Sequence, residues 1–159
     1  DHICLLARVS HQYDRAGLAV DPVNDRHWAQ RNLTSVQAQP GVPFVFPFEA
    51  GNPLDEEAEF LLTVRQASEE RFVGLQQALG ADPVMADCIA GLSEDGGIGA
   101  GGEDALRLAL GPKEQRQVFL HVEMQSRTGP GRFATLEISQ TLPSEERVVG
   151  GLGVAVTTD

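Results

Sequence analysis

Among side chains able to do chemistry near neutral pH, the histidines His2, His11, His27 and His121 come first, because imidazole is the usual general base and metal ligand. None stands four residues from another or at the carboxylate spacing of a zinc-binding helix, so each reads as a structural or surface histidine. The serines Ser10, Ser35, Ser68, Ser93, Ser126, Ser139 and Ser144 include none within a G-x-S-x-G elbow; they fall at strand edges, caps and turns. Cys4 could face His121 across a sheet, but it stands between Ile3 and Leu5 with nothing electropositive to favour a thiolate. Cys4 and Cys88 show neither CxxC nor Cys/His metal spacing, and their apolar neighbours suit buried, reduced thiols. No catalytic, cofactor-binding or metal-binding residue is assigned on these grounds. The expectation is a protein without catalytic activity or cofactor.

The oxygen-rich loops give the remaining candidates. Asp21, Asn24 and Asp25 share one loop, and Glu94, Asp95, Glu103 and Asp104 flank a run of glycines; calcium takes several such oxygens at short spacing. Neither loop, 21–25 or 94–104, has the register of an EF-hand or a nonapeptide β-roll, and both read as solvated loops. The glycines at 96, 97, 99, 101 and 102 would offer backbone amides to a phosphate, but no Lys-Ser/Thr pair follows them. Asn32-Leu33-Thr34 matches a glycosylation sequon, within a stretch that reads as a strand.

The elements that would hold these residues are mostly strands, since apolar residues recur with period two. Residues 3–9 are apolar on both faces and predict an internal strand, and 28–36 predict a second. Pro40, Gly41 and Pro43 then break the chain. Phe44, Phe46 and Phe48 share one face of a strand whose Pro47 suggests an edge. Ala58, Phe60, Leu62 and Val64 point inward on the next. Residues 68–92 change period: Phe72, Leu75 and Leu79, then Met85, Cys88, Ile89 and Leu92, fall on helical faces, predicting a short two-helix insertion. Strands return at 106–110 and 118–124, read as a pair joined by the Gly111-Pro112-Lys113-Glu114 turn, then at 132–140 and 148–156. The predicted core is Phe60, Leu62, Val64, Leu120, Val122, Leu136 and Ile138. The fold class expected is mainly β, an antiparallel immunoglobulin-like sandwich.

Charge limits the partners. In 159 residues, 23 Asp and Glu against 12 Lys and Arg leave a formal charge of −11. With no basic run of three residues, this disfavours nucleic acid and anionic membrane surfaces. At 42% hydrophobic the chain can bury a core, yet no apolar run approaches the roughly 20 residues of a membrane-spanning helix. Residues 1–10 lack a basic n-region and a small-residue cleavage site. The absent initiator Met and a start one residue before a strand suggest a piece of a longer polypeptide.

Two stretches together carry a resemblance. Cys4-Leu5-Leu6-Ala7-Arg8-Val9, then Asn24-Asp25 and Ala29-Gln30-Arg31-Asn32-Leu33-Thr34-Ser35-Val36, resemble the closing strands of the immunoglobulin-like, cell-adhesion-related (CARDB-like) modules of large bacterial surface or secreted proteins. Residues 106–156 look like the end of another such module, although the insert at 68–92 has no counterpart in typical ones. The resemblance implies a division into 1–39, the terminal strand pair of a preceding or docking module, and 40–159, the sandwich itself. It implies an extracytoplasmic, non-catalytic domain that adheres to another protein or supports neighbouring domains. The competing class is a carbohydrate-binding or accessory domain of a secreted hydrolase, against which stands the scarcity of aromatics for a sugar platform, with one Trp, Trp28, and one Tyr, Tyr13.

Overall fold

The computed structural model describes residues 7–8, 10–11, 33–66, 88–97, 101–125 and 133–158. They form ten strands: β1 (Ala7–Arg8), β2 (Ser10–His11), β3 (Leu33–Gln37), β4 (Phe44–Gly51), β5 (Ala58–Gln66), β6 (Cys88–Ser93), β7 (Ala105–Leu110), β8 (Gln115–Met124), β9 (Phe133–Leu142) and β10 (Arg147–Thr157). The smaller sheet has the order β1-β4-β8-β6; the larger runs β2-β10-β9-β5-β7, with β3 also pairing with β10. No helix among the described residues is long and apolar enough to cross a membrane.

Alternation along each strand builds the core. Phe48, Val118, Leu120, Val122, Met124 and Leu92 of the smaller sheet meet Phe60, Leu62, Leu108, Leu136, Ile138 and Val154 of the larger, all buried. All seven predicted core residues lie there. Opposed strands share faces, so Phe46 opposite Leu120 and Leu62 opposite Gln140 sit on the inner side. Gln140 is a buried polar exception that ties the sheets together, its Nε2 donating to the Gly51 carbonyl at 2.9 Å.

Several expectations need correction. Residues 88–92 are not helical: Cys88, Ala90 and Leu92 oppose Met124, Val122 and Leu120 in the β6–β8 ladder. The rest of the expected two-helix insertion, 68–87, lies outside the described residues. Strands β7 and β8 do not form a hairpin. β7 pairs with β5 and β8 with β4 and β6, so the 111–114 turn carries the chain from one sheet to the other. The sandwich is also not purely antiparallel, since β1 runs parallel to β4 and β3 parallel to β10. The described parts of the two N-terminal segments lie in different sheets rather than against each other. Among the described residues, Ala7–Arg8 lies at the edge of its sheet and not inside it. β9 pairs antiparallel with β10, and β5 with β7.

Candidate functional site

Of the two histidines among the described residues, His11 and His121, the latter sits at mid-strand in β8 with its side chain on the outward face of the smaller sheet, opposite Val45 and Gly91. It is nevertheless only 7% exposed. The loop after β6 folds back over it, and its Nε2 meets the Asp95 carbonyl at 2.8 Å. That loop is held by its own short bonds: Asp95 N–H donates to Ser93 Oγ at 2.9 Å, and Gly97 N–H to Asp95 Oδ1 at 2.8 Å. A Cβ at Gly96 would stand 2.8 Å from the ring of Phe119, so the loop packs closely against that ring. A carbonyl acceptor fixes the imidazole as a hydrogen-bond donor through Nε2. This orients the ring but supplies neither a carboxylate partner nor a nucleophile.

A second polar cluster fastens the chain where it changes sheets. Asn52, 3% exposed, donates through Nδ2 to the carbonyls of Glu56 (2.8 Å), Gly111 (2.9 Å) and Leu110 (3.1 Å). Its Oδ1 accepts from Leu54 N–H at 2.8 Å. One amide thereby joins the β4–β5 loop to the β7–β8 turn. Glu114 closes that turn, one carboxylate oxygen accepting from Gly111 N–H and the other from Arg116, at 2.9 and 2.8 Å. The Gly111 N–H above all, and then Arg116, hold the Glu114 carboxyl below its ordinary value. Arg116 also reaches Glu94 at 3.4 Å and the Ala109 carbonyl at 3.1 Å.

The other candidates disperse. Cys88 is an unbridged thiol, half-buried, near Gln66 Oε1; the expectation of an inaccessible thiol is too strong for it. Cys4, His2, His27, Asp21, Asn24 and Asp25 lie outside the described residues. His11 pairs through its backbone with Gly150. Glu94 faces Arg116, whereas Glu103 bridges to Leu92 through its backbone. Among the described residues, no three His, Cys, Asp or Glu side chains converge as a metal site would require. Asn52 and Arg116 were not singled out by sequence reasoning. A single Asn-Pro turn and an arginine in an exposed strand start carry no signal of how many strands they join.

No protein-family model and no curated protein matches the chain. Similarity appears only among solved structures. A candidate carbohydrate-binding protein from Bacteroides ovatus superposes with a TM-score of 0.53 at 8% identity, over 79% of this chain and 35% of that one. The N-terminal domain of PorA gives 0.47 at 9% identity, over 80% and 87%. A family 123 glycoside hydrolase from Clostridium perfringens gives 0.46 at 8% identity, over 80% and 23%. The chain thus spans about a third of the Bacteroides ovatus protein. At this identity the first likeness shows the β-sandwich fold and nothing finer.

Proposed function

We propose that this chain is a non-catalytic, immunoglobulin-like module of a larger extracytoplasmic bacterial protein, binding another protein or supporting neighbouring domains. The observation that carries the reading is the commitment of His121. This histidine is buried beneath a loop and spends Nε2 on a backbone carbonyl. Strand order supports the fold part. The orders β4-β8-β6 and β10-β9-β5 are compatible with the B-E-D and G-F-C strands of an immunoglobulin sandwich, with β7 added beside β5 and β1 departing from that pattern by running parallel to β4. The CARDB-like resemblance at 4–9 and 29–36, and the division at residue 39, belong to this proposal. So do the expected partners, a protein or domains of the same chain, and a surface or secreted location.

A carbohydrate-binding or accessory role is the second reading, drawn from the fold likeness to the Bacteroides ovatus protein. Phe119 is the aromatic on the outward face of β8, and Gly96 packs against its ring, which argues against an open sugar platform there. Two assays on the purified chain separate the readings: affinity gel electrophoresis against soluble polysaccharides, and hydrolysis of peptide, ester and glycoside substrates. The proposal expects neither retardation nor turnover. Retardation by a polysaccharide transfers the assignment to the second reading.

A further inference from the structure

The last strand of the larger sheet, β7, carries backbone groups that no strand among the described residues pairs with. Val64 N–H donates to the Asp104 carbonyl at 3.0 Å, and the β5–β7 register continues that pairing through Leu62–Leu106, Phe60–Leu108 and Ala58–Leu110. In the alternation of an antiparallel ladder, Leu106, Leu108 and Leu110 therefore turn their peptide groups toward β5. Ala105, Arg107 and Ala109 turn theirs to the outer edge. The Ala109 carbonyl there is taken by Arg116 at 3.1 Å. The adjoining edge of β6 is closed at Leu92 by the reciprocal backbone bonds to Glu103, 2.7 and 2.9 Å. β7 has no proline and no bulge in its pairing with β5, the usual devices that blunt an exposed edge. Ala105, Arg107 and Ala109 are all exposed.

Charge selects what can lie along it. Glu59, Glu94 and Glu114 border the edge in ion pairs, Glu59 with Arg107 at 2.8 Å and Glu94 and Glu114 with Arg116 at 3.4 and 2.8 Å. Glu103 and Asp104, exposed at the start of the strand, add two carboxylates with no ion pair to a cation among the described residues. A second copy of a chain of charge −11 would be repelled there.

We propose that the β7 edge binds an extended, lysine- or arginine-bearing segment of another protein by strand addition, its backbone pairing with Ala105, Arg107 and the Ala109 N–H and its cations meeting Glu103 and Asp104. In such recognition the main-chain bonds supply affinity and the flanking charges supply selectivity. This deepens the protein-binding reading above and rests on it. That reading fails on polysaccharide binding, whereas this one fails on the location and charge dependence of peptide binding.

The test titrates an alternating Val/Lys octapeptide into the purified chain and follows amide exchange residue by residue. Exchange should slow at Ala105, Arg107 and Ala109, and an alternating Val/Glu peptide should bind at least about tenfold more weakly. Arg107→Pro removes an outward N–H without touching the β5 ladder and should weaken the Val/Lys peptide about tenfold. Should that variant unfold, the double change Glu103→Lys with Asp104→Lys should weaken it comparably at an unchanged melting temperature. Absence of binding, equal binding of both peptides, or protection elsewhere overturns the proposal. So does a dimer in sedimentation that already protects these three amides.

Discussion

Gly91 of β6 and Gly102 of the following loop touch backbone to backbone: a Cβ on either would lie 2.4 Å from the carbonyl carbon of the other. The approach lets Glu103 bridge Leu92 at the edge of the smaller sheet before the chain crosses to β7 in the larger. Backbone on both sides cannot step aside as a side chain would. Gly91→Ala and Gly102→Ala should each cost at least about 1 to 3 kcal/mol. Gly111→Ala, whose Cβ would meet only the Glu114 carboxylate at 3.5 Å, should stay close to wild type. Urea unfolding of the three variants checks the ranking; equal midpoints would mean that the crossing is not where it is drawn.

Asn52 serves three carbonyls and one N–H across two loops. Asn52→Ala leaves several of these groups without a partner and should cost about 2 to 4 kcal/mol. Asn52→Asp should be at least as damaging at neutral pH, because a carboxylate oxygen would face carbonyl oxygens. Thermal unfolding of both variants reads this directly, and a shift of less than a degree in either would contradict the role.

Thr135 lies on the outward side of β9, opposite Ala155, yet is fully buried with no hydrogen-bond partner for Oγ1 among the described residues. Thr135→Val keeps the shape and strand preference while removing the unsatisfied hydroxyl. It should stabilise the chain by about 1 kcal/mol. A lower melting temperature for this variant would show that the hydroxyl is satisfied in solution.

Much of the larger sheet was legible because its strands obey one period and one burial direction. Phe60, Leu62, Val64, Leu136 and Ile138 alternate with Glu59, Thr63, Arg65, Thr135 and Glu137, Leu61 being the apolar exception, so both strand and core followed from pattern. β6 was not legible, because six residues fit both periods. Met85, Cys88, Ile89 and Leu92 mark a helical face, while Cys88, Ala90 and Leu92 mark a strand face. The ladder to β8 decides between them, and it leaves Ile89 73% exposed. The 111–114 turn was recognised as a turn, but turn chemistry does not say which sheet receives the next strand. That choice is made by Ala58 opposite Leu110 on one side and Gly51 opposite Gln115 on the other. The burial of His121 was hidden for a similar reason: it depends on a loop folding back, and alternation along β8 marks that position as outward.

Acid should loosen the β7–β8 crossing. Glu114 has a folded value below its ordinary 4.5, caused first by Gly111 N–H and then by Arg116. The stability from its charged form is therefore present above the unfolded value and is lost as pH falls through the lowered folded one. The carboxyl is exposed, so the dependence should be shallow. Glu114→Gln should flatten the acid limb of stability against pH below about 4.5, and an unaltered limb would remove Glu114 from the account.

The commitment of His121 to structure is tested most directly by turnover of the purified chain on peptide, ester and glycoside substrates, measured beside His121→Gln. The account predicts rates indistinguishable from buffer for both proteins, with faster amide exchange across 93–97 in the variant as the Asp95 contact is lost. Hydrolysis by the wild-type chain that disappears in His121→Gln, with the loop still protected, would contradict it.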